Sequence, residues 1–145
     1  VALVDRPVAL HNADRIVAAA QGWLGCPYHH ASDLKGVGVD CAMLPVRVFC
    51  DLGLVPPFDP RPYPHDFMLH RDDERYRDWV KQFADQVETP QAGDLALFRI
   101  GRCYAHGAIV VDHRMIHADL RAGCVEYGDL ATWCANRKHE FWRVR

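Results

Sequence analysis

The order in which hydrophobic periodicity changes along this chain constrains its fold more than any other feature. Apolar residues first recur at helical spacing; from Leu95 onward they fall in short β-branched or alternating runs divided by turn residues. Asn12 or Asp14 can cap a helix running to about Leu24, with Ile16, Val17, Ala20, Trp23 and Leu24 on one stripe and Gly25 and Pro27 to stop it. Tyr28 to Val39 is polar and glycine-broken, a loop. A second helix starts near Asp40 or Cys41, carries Leu44, Val48 and Leu52 on one face, keeps Pro45 in its first turn and ends at Gly53. Asp72–Val87 reads as a third helix, with Tyr76, Val80 and Phe83 on its inner face, and Pro90–Asp94 as a turn. Strands are expected at Leu95–Ile100, Gly107–Asp112, Arg114–Ala118 and Cys124–Tyr127, with Phe141–Val144 as an edge strand. Helices first and strands second predict an α+β fold, with N-terminal helices packed on a C-terminal antiparallel sheet.

A chain of 145 residues, half apolar and a quarter charged, has room for one domain over 1–145 and a core that needs no staples. Its net charge of −2 offers no broad footprint for nucleic acid. No apolar run approaches the ~18 residues of a membrane span. Asp5 and Arg6 interrupt Val1–Leu10, which therefore lacks the apolar stretch of a signal peptide. The prolines at 56, 57, 60, 62 and 64 make Val55–Pro64 a rigid surface loop, too close to both ends to be a domain linker. The six cysteines resemble no small secreted framework and are expected to be reduced, most of them as buried thiols.

Cys41 differs from the other five. The segment Gly36-Val37-Gly38-Val39-Asp40-Cys41-Ala42 sets it where a glycine-rich loop becomes a helix. Backbone N–H groups and the macrodipole there favour a thiolate, and such a cysteine can fall from about 8.5 into the ~3.5–7.5 range. Two readings stand at this point: a nucleophile, or a core thiol on the inner helix face. A nucleophilic cysteine needs a base, and the base an orienting partner. His106 precedes the apolar run Gly107–Val111, and His117 ends Met115-Ile116-His117. Two paired strands with a tight turn near Asp112–Arg114 would set both imidazoles on one face.

These residues resemble the NlpC-type cell-wall cysteine peptidases, papain-like enzymes that cut peptidoglycan stem peptides. The resemblance covers nearly the whole chain. It includes Trp23-Leu24-Gly25, Pro27-Tyr28, Val39-Asp40-Cys41, Gly93-Asp94-Leu95, His106-Gly107-Ala108 and Ile116-His117-Ala118. It implies Cys41 as nucleophile, His106 as base and His117 as the residue that orients the base. Tyr28 would stabilise the oxyanion together with the Cys41 N–H, Asp40 would contact substrate, and no metal or organic cofactor would be required. The bond expected to be cut is D-γ-glutamyl to diaminopimelate or lysine. Ala42-Met43 departs from the Ser-Gly that usually follows Asp-Cys in the family. Residues 56–75 form an insertion, and with Tyr28-His29-His30 they resemble the branch found in phage tails and gene-transfer agents. That branch implies tail or baseplate partners, a location in a phage-like particle acting on the cell wall, and an insertion that docks on a partner and is not needed by the site.

Competing readings are a zinc site, a catalytically silent tail protein, and an amidase or acyltransferase using the same pair. Zinc would draw on Cys103 with His106 and His113 with His117. No CxxC pair exists, and the latter spacing requires a helix where a strand is expected, so no metal ligands are assigned.

Overall fold

The computed structural model describes residues 2–64 and 74–145, with the backbone alone over 2–11. Residues 65–73, which include His65, His70 and much of the expected insertion, lie outside the described residues. Helix α1 (Ala2–Gln21) starts well before Asn12 and Asp14, so neither caps it, and it ends three residues earlier than expected. Of the expected stripe, Ile16, Ala20 and Trp23 are buried, Val17 is half-buried, and Leu24, beyond the helix end, is exposed. Gly25 then turns the chain in a left-handed conformation, with φ 85°. The expected loop from Tyr28 to Val39 contains a two-residue antiparallel pair, β1 (Asp33–Leu34) and β2 (Gly38–Val39). Helix α2 (Met43–Asp51) buries Leu44, Val46, Val48 and Phe49.

The third expected helix is two elements. Helix α3 (Arg75–Phe83) stops before strand β3 (Ala84–Val87), where the backbone is already extended at Ala84. Strands β4 (Leu95–Ile100), β6 (Arg114–Asp119) and β7 (Cys124–Asp129) start where expected, whereas β5 (Cys103–Val110) begins four residues before its expected start and so includes His106. A short helix that periodicity did not reveal, α4 (Leu130–Asn136), precedes β8 (His139–Val144). The six-stranded sheet is antiparallel in the order β3-β8-β4-β5-β6-β7. Thus β8 is an inner strand, paired with β3 on one side and β4 on the other, and not the expected edge. Arg143 on β8 holds the Asp94 carboxylate through two 2.9 Å hydrogen bonds, fixing β8 beside the turn that starts β4.

The sheet alternation divides the core. Leu95, Leu97, Ile109, Ile116, Val125 and Trp142 pack on the side of α1 and α2. Ala96, Phe98, Ala108, Val110, Met115 and Phe141 face the other way, where Leu130 and Trp133 of α4 cover them. This is the α+β arrangement the sequence predicts, with one helix added on the far face. Among the described residues no helix is long and apolar enough to cross a membrane.

Candidate functional site

Asp40 builds the turn that carries Cys41. Its Oδ1 accepts hydrogen bonds from the N–H groups of Ala42 and Met43, and its carbonyl accepts from Leu44 N–H. Those are the contacts of an N-cap, so the backbone behaves as helix from Cys41 although the regular helix begins at Met43. Its Oδ2 accepts from Ala31 N–H at 2.7 Å and from the Tyr63 hydroxyl at 2.6 Å. Asp40 is only 2% exposed, so it holds the turn from beneath and does not present the substrate contact expected of it. The Tyr76 hydroxyl donates to the Ala42 carbonyl at 2.7 Å. Gly107 completes the seat: a Cβ there would lie 2.8 Å from Pro45 Cγ and 3.5 Å from the Cys41 carbonyl.

Tyr28 is strapped in from both sides. Its N–H donates to the Gly123 carbonyl, and Val39 N–H donates to the Pro27 carbonyl. This puts the Tyr28 hydroxyl 3.8 Å from Cys41 Sγ, as a donor to the sulfur. Sγ in turn lies 3.7 Å from the Ala105 carbonyl. Ala105 sits at an irregularity between β4 and β5: Phe98 pairs with His106 and Arg99 with Tyr104, leaving Ala105 as the extra residue. Such bulges turn side chains out of the regular alternation, and this one sits directly before His106.

His106 and His117 meet as their strands predict, though diagonally: Ile109 pairs with Ile116 and Val110 with Met115. His106 Nε2 and His117 Nδ1 are 2.8 Å apart, with the rings edge to face. The exposures are 7% and 1%. Trp133 of α4 stacks on His106, ring centroids 4.6 Å apart and planes within 14°. Arg137 lies over the Trp133 ring at 3.8 Å. Gly128 leaves room for His117, because a Cβ there would come within 2.7 Å of Nε2. Tyr28, Cys41, His106, Trp133 and Arg137 line one cleft of about 520 Å³.

The electrostatics of the cleft reverse one expectation. Burial and, after it, the Asp40 charge push the Cys41 thiol up to about 12, outweighing the Tyr28 hydroxyl and the backbone N–H groups that pull it down. Burial pushes His106 down to about 3, with His117 and Arg137 adding to the effect. His117 is lowered to about 4, again mainly by burial. The Cys41 and His106 shifts both favour the uncharged forms, thiol and imidazole. Such a pair suits proton transfer coupled to attack, with charge forming only as a carbonyl carbon is engaged.

None of the six cysteines forms a disulfide, and only Cys26 and Cys103 are buried; the other four are half-buried, against the expectation that most are core thiols. Cys103 is buried and His113 exposed, and among the described residues neither joins a group of metal-competent side chains. Among the described residues one such group occurs, His117, Asp119 and Glu126, with ligand atoms within 4.8 Å of one another. Trp133, Arg137, Tyr63, Tyr76 and Gly128 escaped sequence reasoning. A weak signal for the first two existed: Asp129 as an N-cap, whose carboxylate accepts from Thr132 N–H at 3.0 Å.

No protein-family model and no curated protein matches the sequence. Solved structures match its fold. The NlpC/p60 domain of the peptidoglycan hydrolase SagA has TM-score 0.59 and 21% identity over 88% of this chain and 96% of that one. NlpC1 from Trichomonas vaginalis has TM-score 0.65 and 18% identity over 91% of this chain, which spans 43% of that protein. The peptidoglycan hydrolase RipB from Mycobacterium tuberculosis has TM-score 0.67 and 18% identity over 97% of this chain and 68% of that one. The chain therefore has the papain-like NlpC/p60 fold.

Proposed function

We propose that this protein is a cysteine endopeptidase of peptidoglycan, cleaving stem peptides at the D-γ-glutamyl bond to diaminopimelate or lysine. The observation that carries the proposal is the cleft shared by Cys41, Tyr28 and His106, with His117 2.8 Å behind His106. The peptidoglycan hydrolases of the same fold supply the substrate class. Cys41 Sγ attacks the scissile carbonyl carbon as its proton passes to His106. The oxyanion forms against the Tyr28 hydroxyl and the Cys41 N–H; a donor in that position is worth about 2.7–4 kcal/mol of barrier. His106 returns the proton to the leaving amine, a thioester remains on Sγ, and water activated by His106 hydrolyses it. His117 holds His106 in the required tautomer and tilt.

The test is digestion of purified peptidoglycan with mass spectrometry of the new ends. Wild type should release γ-glutamyl carboxyl ends, and Cys41→Ala should release none while melting as a folded protein. Intact peptidoglycan together with an unreactive Cys41 would instead favour a silent scaffold; a different new end would favour an amidase or acyltransferase.

A role as a component of a phage-like tail is a further part of this proposal and rests on the sequence resemblance of the insertion. Its premise needs one amendment. Phe58 stacks near Phe83 and Trp79, Arg61 pairs with Asp33, and Tyr63 holds Asp40, so residues 55–64 support the site. Shortening only residues 65–71 should spare hydrolysis and prevent incorporation into the particle; normal incorporation would sink the tail reading.

A further inference from the structure

We propose that Arg137 and Arg121 form a carboxylate-binding subsite beside Cys41, so that the cleft selects acyl substrates carrying a free carboxylate close to the scissile carbonyl. Arg47, Arg61, Arg77, Arg114, Arg143 and Arg145 each hold a carboxylate of the protein. Among the described residues, Arg137 and Arg121 form no ion pair, and both line the cleft that contains Cys41 and His106. Arg15, Arg75 and Arg99 also form no ion pair among the described residues, but they do not line this cleft; Arg121 and Arg137 do. Asp119 is the one carboxylate among the lining residues, and its Oδ1 already accepts the Arg121 N–H. Two cations therefore face one anion there.

The seating of Arg137 supports a ligand role. Its guanidinium lies over Trp133 at 3.8 Å, and Trp133 is stacked on His106. A guanidinium lying on an indole face keeps its in-plane N–H donors available for the paired hydrogen bonds a carboxylate accepts. The stack also restricts the long side chain before substrate arrives, which lowers the entropy lost on binding. A bound carboxylate would further cancel a charge that helps keep His106 deprotonated, restoring proton affinity to the imidazole as the substrate docks. The inference deepens the peptidase reading at one point: a peptide linked through the γ-carboxyl of glutamate has a free α-carboxylate next to the bond cut.

The first test does not depend on that reading. Alkylation of Cys41 by iodoacetate and by iodoacetamide, read by mass spectrometry of the Cys41 peptide in the full chain, compares an anionic with a neutral probe. The iodoacetate-to-iodoacetamide rate ratio should fall about fivefold in Arg137→Gln and by a similar factor in Arg121→Gln, since each loses one nearby cation. It should also fall in wild type at high salt. Arg137→Lys, which keeps the charge and loses the fork, should fall less than Arg137→Gln, and melting curves confirm that each variant is folded. A ratio unchanged in both Gln variants overturns the subsite. The second test uses muropeptides with the glutamyl α-carboxylate free or amidated. Wild type should prefer the free acid, and Arg137→Gln should lose that preference mainly through KM. If no muropeptide is cut while the alkylation ratio responds, the peptidase reading fails and the subsite stands. If both forms are cut equally and the ratio is unchanged, only the subsite fails.

Discussion

Replacing Tyr63 by Phe removes one hydroxyl and, with it, the 2.6 Å hydrogen bond to Asp40 Oδ2. The ring is retained, including its edge-on contact with His30 at 5.3 Å. A hydrogen bond to a charged group contributes about 1.5–3 kcal/mol. Ala31 N–H stays on Oδ2, so the carboxylate is not stripped, and a loss near about 2 kcal/mol is expected. In a domain of this size that corresponds to roughly 4–8 °C in Tm. Asp40→Asn is the harsher change. Whichever way the amide turns, its NH2 faces two donors: Ala42 and Met43 N–H on one side, or Ala31 N–H and the Tyr63 hydroxyl on the other. Leaving such buried donors unsatisfied should cost about 2–5 kcal/mol. Urea unfolding of both single variants and the double variant closes the cycle. The double should be more stable than additivity predicts by about 1 kcal/mol or more, since both changes remove the same bond. A Tyr63→Phe loss under about 0.5 kcal/mol, the scale of an uninvolved surface change, or strict additivity would refute the view that the insertion supports the Cys41 turn.

The roles proposed for the two histidines separate by substitution: His106→Ala should lose activity by about 10²–10⁴-fold, the usual worth of a general base. His117→Gln should retain measurable hydrolysis and His117→Ala less; equal loss in His117→Gln and His106→Ala would mean the roles are misassigned. Gly128→Ala should lower kcat with only modest destabilisation, because its Cβ displaces the His117 ring; unchanged kcat would show that the ring has freedom to move. The pH dependence of stability has a definite sign. His106 and His117 fall to about 3 and about 4 on folding, below the ordinary value, so protons favour the unfolded chain. Their contribution is present above about pH 6.5 and is lost as the pH drops toward the folded values, about 2 kcal/mol at pH 5 for one such histidine. Tm measured from neutral to acidic pH should therefore fall more steeply in wild type than in His106→Gln/His117→Gln; parallel slopes would contradict neutral burial.

Local pattern carried much of this protein. A helix through Ile16 and Ala20, a Cys41 turn opening a second helix, and four strands from Leu95 onward were legible because each depends on residues a few positions apart. The pairing of His106 with His117 was legible too, since a tight turn leaves their strands few alternatives. What depended on distant segments was not. β8 looks like an edge strand by position, but its place between β3 and β4 is set by pairings across more than 40 residues and by Arg143 meeting Asp94. Seven residues of α4 are too few to show a period, although they supply Trp133 and lead directly into Arg137. The ionisation of Cys41 shows the difference most clearly. A helix start argues for a thiolate, and the N–H groups that do so are present; burial and the Asp40 charge outweigh them. Desolvation is a property of everything packed around an atom, and only the tertiary structure brings those neighbours together.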